Sequence, residues 1–398
     1  MEKLKHFKQT YHKNHPESTK DEETRAIIAK IEEYIKDVLP TIITTRSYDI
    51  NQKALLLLEA GKLYNIVDDY QEIAETFLSK SVKMNPKSAD GWHELGKCVM
   101  KRQDVEFAQS CFRIALGIER SAEILTSLAI SVRLAALKVP EPGQTDLRTQ
   151  AMDLLIEARR LDNSYGPAHC AFATGLFYCF FDAPKAELHF LDKVIENYQK
   201  AVECELSRTD PQVYINMATC LRFMEKYEEA LSNIQKAVEY DSRNELKTLE
   251  MLNSCSNYLL KFSEAIQKKG KVKAKRLAEM VQSLQKQQAD DFHLKIIGTV
   301  AHDEPIPVAL VGVDSAGEVY GITIYNCLPD FGFVIGDTIS VPSPVFRQIE
   351  NFQVPSDPPV TIESIRWIRV ATPTQIKKNG AALPESVLAR AVAATQTK

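Results

Sequence analysis

The sequence predicts a mainly helical chain in which stacked helix pairs form a solenoid, followed by a small β-barrel. Three observations lead to this fold class. Large and small apolar residues from Trp92 to Ala115 recur at the spacing of two antiparallel helices that close on each other. Near residue 293 this pattern gives way to short β-rich runs separated by Gly, Pro and Asp. Between the two regions, six of the nine residues in Lys268–Arg276 are basic.

The composition is that of an ordinary globular protein. The chain has 398 residues, of which 44% are hydrophobic and 26% charged, which suits two or three domains. A net charge of -4 gives no global attraction to nucleic acid or anionic membrane, so any such affinity must come from a local cluster. Eight cysteines without a C-x-x-C pair predict reduced core thiols. Without an apolar leader or a membrane-length apolar stretch, we expect a cytoplasmic and nuclear protein without a membrane partner.

The helical part divides into a cap and five irregular repeats. Residues 1–52 predict an N-terminal helical cap, and residues 53–242 predict tetratricopeptide repeats whose second unit contains Trp92. The third repeat is expanded by a turn-rich loop at Val139–Asp146, and the fourth by an aromatic insertion at Phe177–Lys185. Such units are unstable alone and stack into a continuous array with a groove. A groove indicates binding rather than chemistry.

The remainder of the chain predicts a capping segment, a barrel and a tail. Residues 243–288 are expected to form capping helices with a basic loop at 268–276, residues 293–373 an OB-type barrel, and residues 374–398 a flexible tail. A fragment of a β-sandwich is the main competing fold. The predicted strands are Leu294–Val300, Val308–Val313, Val319–Tyr325, Thr338–Val341 and Ile362–Val370.

No enzyme signature is found in the sequence. G-x-x-x-x-G-K-[ST], G-x-S-x-G and H-E-x-x-H are absent, and the cysteines and histidines do not follow a metal-binding spacing. We therefore expect a binding protein that is not an enzyme and needs no cofactor or metal.

The order of parts resembles a known family. Irregular repeats are followed by the basic GKVKAK segment and by a domain carrying VALVGVDSAGEVYGITIYN and FVIGDTISVPSP. Over nearly the whole chain this resembles the tetratricopeptide repeat protein 5 family. The resemblance implies a ribosome-associating adaptor that recognises the N-terminal peptide of nascent tubulin, Met-Arg-Glu followed by an apolar residue or Cys. It also implies recruitment of an mRNA-decay adaptor, so that tubulin mRNA is degraded during translation.

Arg133 is the first candidate for peptide binding. With Leu125 at the fourth position of the third repeat, Arg133 is at the twelfth, a position that lines the groove. By its LAISVR context it matches the family arginine that engages the peptide's Glu. A guanidinium can hold a carboxylate with two parallel bonds. The alternative is a solvated arginine on the helix surface.

The fifth repeat supplies further candidates. Gln212, Asn216 and Arg222 fall on or beside groove positions, where the alternative role is inter-repeat hydrogen bonding. The family has an acidic residue near the position of Gln212, to meet the peptide's Arg. We expect Asp210 or Glu245 to substitute for it, or selectivity at that position to be relaxed.

The basic run is the candidate ribosome-binding site. Lys269, Lys271, Lys273 and Lys275 match the family's basic loop, and the last two correspond to the pair implicated in contacting ribosomal RNA near the exit tunnel. Clustered ammonium groups bind phosphates without reading bases. The alternative is a solubilising loop or a nuclear localisation signal.

Two other functions remain open. The family has also been described as a nuclear stress-responsive cofactor of a histone acetyltransferase complex in the p53 pathway. A chaperone-docking role needs a carboxylate clamp, of which only Lys97 is evident. The barrel could stack RNA bases on aromatic residues, but Lys and Arg are absent from 296 to 346, so we favour a protein-docking or structural barrel. The aromatic candidates are Tyr320, Tyr325, Phe331 and Phe333.

Overall fold

The computed structural model describes residues 2–36, 49–182, 187–270, 272–285, 291–302, 307–328 and 331–389. The chain divides into two compact units. The first comprises Met1–Leu176 and Asp192–Val213, and the second comprises Phe177–Leu191 and Tyr214–Lys398. The boundary falls inside the repeat region and crosses three helices.

The described residues before the barrel are mainly helical. The described helices are α1 (Glu2–Asn14), α2 (Lys20–Ile35), α3 (Ile50–Tyr64), α4 (Glu72–Met84), α5 (Ala89–Lys101), α6 (Val105–Ile118), α7 (Ala122–Ala136), α8 (Gly143–Leu161), α9 (Gly166–Asp182), α10 (Phe190–Glu203), α11 (Glu205–Arg208), α12 (Pro211–Phe223), α13 (Tyr227–Tyr240), α14 (Thr248–Gln267) and α15 (Ala274–Gln285). The predicted repeats correspond to the pairs α3/α4, α5/α6, α7/α8, α9/α10 and α12/α13. The predicted helical solenoid is confirmed.

Local capping explains where several repeat helices begin. The side chains of Ser88, Asp104 and Ser121 accept hydrogen bonds from backbone N–H groups in the first turns of α5, α6 and α7. Asp49 and Gln52 form a reciprocal capping box at the start of α3. Each cap satisfies a donor that has no partner within the helix.

A glycine, which has no side chain, allows the two helices of a repeat to approach closely. A Cβ atom added to Gly96 on α5 would be 2.4 Å from the ring of Phe112 on α6. Trp92 packs against a small apolar cluster that includes Ala115, and its Nε1 donates a 2.9 Å hydrogen bond to the Pro86 carbonyl. Trp92 therefore acts in packing, while Gly96 sets the helix separation.

Two predicted loops are shorter than expected. The turn-rich segment of the third repeat is helical from Gly143 onward, and the aromatic residues of the fourth repeat extend α9 to Asp182. Consecutive aromatics do not interrupt this helix because several of them pack together within the second unit. Phe180 and Phe181 both contact Phe223 edge-on, at ring-centroid distances of 5.4 and 5.5 Å.

The described strands of the second unit form a mixed sheet. Its strands are β1 (Phe292–Thr299), β2 (Val308–Val313), β3 (Val319–Ile324), β4 (Thr338–Val341), β5 (Val345–Val354), β6 (Val360–Val370), β7 (Lys377–Lys378) and β8 (Ala381–Ala382). Their order is β5-β6-β3-β2-β1-β4-β7-β8. Neighbouring strands of this order run antiparallel except β3 and β6, which are parallel, with Gly321 opposite Trp367 and Ile324 opposite Val370.

The two faces of this sheet belong to different apolar clusters. One cluster lines the barrel and includes Leu294, Ile322 and Ile368. The other joins the opposite face, including Trp367, to residues of α13, α14 and α15, among them Phe262. Strand alternation therefore separates a barrel interior from a helix-covered face within the second unit.

Strand β5 and the short β7 and β8 are absent from the predicted strands. The sequence of β5, VFRQIENFQV, is mostly exposed and interrupted at Asn351, whose φ is 50°, so its alternation is weak. The predicted tail from residue 374 also begins too early. Lys377 and Lys378 pair with β4, and a short 3-10 helix follows at Glu385–Val387.

Candidate peptide groove and basic segment

The first helices of the second and third repeats lie side by side in the first unit. His93 Nε2 on α5 and Ser127 Oγ on α7 share a hydrogen bond of 2.8 Å. His93 Nδ1 is also 3.8 Å from an oxygen of Glu123. Burial lowers the pKa of His93, so a neutral imidazole links the two helices. Neighbouring first helices are what a tetratricopeptide groove requires.

Arg133 is in the last turn of α7, and its side chain is half-buried. Its electrostatic surroundings identify two neighbours. Burial raises the pKa of the Cys170 thiol on α9 to about 12, the Asp210 carboxylate adds to the rise, and the Arg133 guanidinium opposes it. Arg133 and Asp210, both candidate peptide contacts, therefore lie near the same thiol in the first unit.

Asp210 precedes α12 and participates in its start. One carboxylate oxygen accepts a 2.9 Å hydrogen bond from the backbone N–H of Gln212. Although the side chain is exposed, desolvation by the surrounding protein raises the pKa of Asp210. Exposure together with desolvation is expected for a carboxylate at a concave surface, and such a charge interacts more strongly with a cation than a fully solvated one.

Asn216 and Arg222 belong to the second unit. Asn216 is 6% exposed. Burial raises the pKa of Tyr258 on α14, and Arg222 is one of the charges that oppose the rise, which places its guanidinium near that ring. These surroundings are consistent with roles in packing between helices. Their contact with a peptide stays a prediction, and Glu245, 3.8 Å from Arg243 in an ion pair, lies in the same unit.

The basic segment exposes its lysines. Lys269, Lys273 and Lys275 are exposed, whereas Lys271 lies outside the described residues. The segment is not a loop throughout its predicted length, because α15 begins at Ala274 and carries Lys275 in its first turn. The first turn of α15 contains no acidic residue. The N–H groups at the start of α15 and the lysines therefore combine to make this end of the helix electropositive.

Close contacts hold the base of the basic segment against β1. Gly270 has a φ of 63°, and a Cβ atom at this position would be 2.3 Å from the Ile297 carbonyl oxygen. Both the left-handed backbone and the close approach require glycine. Val272 packs against the helix-covered apolar cluster. Gly270 and Val272 thus hold the backbone in place on either side of residue 271, beside the exposed Lys269 and Lys273.

The four aromatic residues named for the barrel do not share one surface. Tyr325 and Phe333 are buried, at 2% and 6% exposure. Half-buried Tyr320 packs with Phe292 and Phe346, whose ring centroids are 5.7 and 5.9 Å from its own. Burial of Tyr325 and Phe333 withdraws them from any stacking surface.

A buried carboxylate, which the sequence did not indicate, joins the fifth repeat to the barrel within the second unit. The side chain of Glu225, in the turn between α12 and α13, is fully buried. It accepts hydrogen bonds from Thr323 Oγ1 and, at 2.9 Å, from Trp367 Nε1. Arg369 Nη1 is 3.8 Å from the carboxylate, and its guanidinium carbon is 3.8 Å from the centre of the Tyr325 ring. We refer to Glu225, Thr323, Trp367 and Arg369 as the barrel joint.

The barrel joint has one weak signal in the sequence. Glu225 occupies the inter-helix turn with a φ of 63°, and Gln103 occupies the corresponding turn of the second repeat with a φ of 66°. Left-handed backbone at this position favours glycine. A carboxylate at this position therefore differs from the preferred glycine. Its partners could not be predicted, because they are about 100 residues or more away in sequence.

Neither a membrane-crossing helix nor a metal-binding cluster occurs among the described residues. In that part of the chain, no helix has both the length and the apolar character that crossing a bilayer requires. The same residues contain no group of three or more His, Cys, Asp or Glu side chains arranged to hold a metal ion.

Comparison with known proteins supports the order of parts. Residues 271–392 match the family described as Tetratricopeptide repeat protein 5 OB fold domain. The chain is 25% identical over 395 residues to Tetratricopeptide repeat protein 5 of Homo sapiens, covering 88% of this chain and 85% of the human protein. It is 24% identical over 445 residues to the Bos taurus protein of the same name, covering 100% of this chain and 95% of that protein.

Solved structures with tetratricopeptide repeats are also similar to part of the chain. A thermophilic TPR protein of Thermus thermophilus has a TM-score of 0.41 and 19% identity, covering 51% of this chain and 98% of that one. YrrB, described as a TPR protein with an unusual peptide-binding site, has a TM-score of 0.33 and 15% identity, covering 56% of this chain and 96% of that one.

The relatives and the repeat scaffold together support a repeat-based adaptor that binds proteins. The C-terminal domain is of the OB type that accompanies the repeats in tetratricopeptide repeat protein 5. The predicted family resemblance and fold are therefore confirmed.

Proposed function

From the similarity to tetratricopeptide repeat protein 5, we propose that this chain is a ribosome-associating adaptor for tubulin autoregulation. Its repeat groove binds the N-terminal Met-Arg-Glu peptide of nascent tubulin, and its basic segment contacts ribosomal RNA. It then recruits an mRNA-decay adaptor. The observation that carries the proposal is the common neighbourhood of Arg133 and Asp210, two opposite charges beside the half-buried Cys170.

The charges fit the ligand. Arg133 holds the peptide's Glu through a forked pair of hydrogen bonds, and Asp210 receives the peptide's Arg. Desolvation raises the pKa of Asp210, which a bound guanidinium would counteract by stabilising the carboxylate. The backbone N–H of Gln212 donates a hydrogen bond to Asp210, and we assign the Gln212 amide to the same subsite.

The basic segment supplies affinity without sequence specificity. Lys269, Lys273 and Lys275 are exposed and lie beside a glycine that is held against β1. Contacts with phosphates release counterions, so binding must weaken as salt increases. When one weak contact holds the protein at the ribosome, the other operates at a high effective concentration. Ribosomes that display the correct peptide are thereby retained.

Site-specific crosslinking on translating ribosomes tests peptide recognition. We expect Arg133→Ala to reduce crosslinking to nascent tubulin by on the order of 10–100-fold, because the peptide carboxylate is left without a charged bidentate partner. Arg133→Lys should restore little, since an ammonium lacks the fork. Arg113→Ala on α6, an exposed arginine outside the candidate site, is the matched control. Equal crosslinking by the Arg133 and Arg113 variants would refute the role of Arg133.

Salt-dependent ribosome pelleting tests the basic segment. The double variant Lys273→Glu and Lys275→Glu should bind idle ribosomes more weakly and with a shallower salt dependence, by about 0.7–0.9 in log–log slope for each phosphate that is no longer neutralised. Lys261→Glu, an exposed lysine of α14 outside the basic run, should leave binding unchanged. Wild-type pelleting by the double variant at physiological salt would exclude the segment from docking.

The same exposed lysines also suit a nuclear localisation signal. In that case the chain is a stress-responsive transcription cofactor that binds a histone acetyltransferase complex in the p53 pathway. Cell fractionation separates the two functions, because a protein confined to the nucleus cannot monitor cytosolic translation. A mainly nuclear pool whose nuclear fraction falls in the lysine variant would favour the cofactor function.

A further inference from the structure

A cavity in the second unit is lined by none of the residues assigned to the proposed function. It has a volume of about 550 Å³ and is bounded by α13, α14, the end of β5 and the turn that follows. This volume lies within the range of sites that hold several side chains or a small ligand.

The cavity has an apolar floor and a polar rim. Leu231 and Val354 are buried in its floor, at 1% and 0% exposure, and half-buried Phe352 lies beside them. Exposed amide and hydroxyl side chains from both helices surround this floor. An apolar centre with a polar rim is the usual anatomy of a protein-binding surface.

The charge of the rim has one sign. Glu228 on α13 and Asp357 in the turn after β5 are exposed and line the cavity. None of the described residues that line it is Lys, Arg or His. Two carboxylates without a lining cation favour a positively charged ligand. Arginine suits this site better than lysine, because its weakly hydrated guanidinium can lie over an aromatic face such as Phe352 and bond a carboxylate with two N–H groups.

The β-strand wall of the cavity is held in place. Ser256 Oγ on α14 donates a 2.8 Å hydrogen bond to the carbonyl of Pro355. Ser356 Oγ donates a 2.8 Å hydrogen bond to the carbonyl of Pro358, and so closes the turn. Since the wall is already ordered, a ligand does not lose free energy by ordering it.

The sheet indicates the conformation of the occupant. β5 is an end strand of the sheet order, so along one edge its backbone groups have no neighbouring strand among the described residues. An extended segment can bond such an edge while one of its side chains enters an adjacent pocket. This favours a peptide segment over a free small molecule.

We propose that this cavity is a second protein-docking site, which takes an extended segment of a partner protein presenting an arginine. The guanidinium meets Glu228 and Asp357, and the apolar stem lies on the floor near Phe352. The site uses neither Arg133 nor the lysines of the basic segment, so its partner differs from the peptide and the ribosomal RNA of the proposed function.

The test uses the full chain and two photoreactive peptide pools. In one pool arginine is fixed at a single position among randomised neighbours, and in the other citrulline replaces it. Citrulline has nearly the same shape but no charge. After crosslinking, the protein is digested and its labelled fragments are identified. We expect fragments that contain Gln353 or Asn253, both lining residues, to be labelled at least tenfold more by the arginine pool than by the citrulline pool.

Two substitutions then test the carboxylates. Glu228→Gln together with Asp357→Asn should reduce labelling by the arginine pool about tenfold or more, whereas Glu229→Gln, the exposed neighbour on α13 outside the cavity lining, should retain it. Thermal denaturation checks that the exposed substitutions leave folding intact. Equal labelling by the two pools, labelling confined to other surfaces, no saturable labelling, or unchanged labelling of the double variant would each overturn the proposal.

Discussion

The inter-helix turns of the second and fifth repeats have the same backbone and different consequences. Gln103 and Glu225 both adopt left-handed conformations, with φ of 66° and 63°. Gln103 is exposed, whereas Glu225 is buried and bonded to Thr323 and Trp367. In one turn the strained residue could be replaced by glycine while every buried interaction is kept. In the other its side chain connects two kinds of structure.

The difference shows which surroundings let an acidic residue of a repeat protein stabilise the fold and which leave it free to bind a ligand. Glu225 is bonded by protein donors on the barrel, so its charge is satisfied internally. Asp210 is exposed, accepts a hydrogen bond from one backbone N–H and, like Arg133, acts on the Cys170 thiol. Desolvation raises its pKa. We expect the first carboxylate to control stability and the second to control ligand affinity.

The largest expected effect comes from Glu225→Gly. The substitution relieves the left-handed backbone but leaves Arg369 buried without its carboxylate and Trp367 without its acceptor. We expect the free energy of unfolding of the second unit to fall by about 3–5 kcal/mol, the usual cost of breaking a buried charge pair. Denaturant unfolding followed by tryptophan fluorescence measures it, in a Trp92→Phe background so that Trp367 is the single reporter.

Gln103→Gly is the matched control for that experiment. The same backbone relief at an exposed turn should leave stability unchanged or raise it by about 0.5–1 kcal/mol. If both glycine variants changed stability alike, the barrel joint would contribute nothing beyond its turn conformation.

An intermediate effect is expected for Gly96→Ala. The added Cβ would be 2.4 Å from the Phe112 ring, so the helices of the second repeat must separate or the ring must move. We expect a decrease of about 1–3 kcal/mol in the free energy of unfolding. At Gly117 on α6 nothing lies within 4 Å of an added Cβ, so Gly117→Ala should be neutral or slightly stabilising. Thermal melts of the two variants that coincide would contradict this account of the packing.

The smallest effect is a pH dependence assigned to Glu225. Burial raises the folded-state pKa of Glu225 above the ordinary value of 4.5. Between the unfolded-state and folded-state pKa values, the folded protein therefore binds more protons than the unfolded chain. The contribution of protonated Glu225 to the free energy of unfolding is fully present below pH 4.5 and is lost as the pH rises through the folded-state pKa. The slope cannot exceed about 1.4 kcal/mol per pH unit for one proton.

Comparison with Glu225→Gln isolates this term from other titrating groups. The stability of the wild type relative to the variant should decline as pH rises above 4.5. Arg369, Thr323, Trp367 and Tyr325 face the carboxylate, and their interactions oppose the rise in its pKa and so limit the size of the change. The pKa of Glu225 is not raised if the difference in free energy of unfolding between the two proteins is constant with pH. The same conclusion follows if the difference grows in favour of the wild type as the pH rises.

Much of the fold could be predicted from local patterns. The spacing around Trp92 and Gly96 predicted the helix pairs, and the change of period near 293 predicted five of the strands to within two residues at each end. β5 was missed because its side chains are mostly exposed and its alternation is broken at Asn351. Helix α9 was interrupted too early because an aromatic run resembles an insertion until its packing with Phe223 is known.

For the candidate sites, the sequence predicted single residues but not which of them lie near one another. Groove positions followed from the repeat register, and the family resemblance selected Arg133 and the lysines. That Arg133 and Asp210 both lie near Cys170 came only from the structure, because the three residues are on different helices or turns. The arginine-docking cavity likewise combines Glu228 with Asp357, which are far apart in sequence.

By itself, the sequence determined the helix pairs, the β-rich C-terminal region and the exposed basic run, because these depend on periodicity and local composition. Only the tertiary structure decided which charges are exposed and which are satisfied within the protein. The turn conformation shared by Gln103 and Glu225 is local, but the surroundings of each side chain are not. Burial and hydrogen bonding arise from residues brought together from distant parts of the chain, and they make one carboxylate a structural joint and leave another available to a ligand.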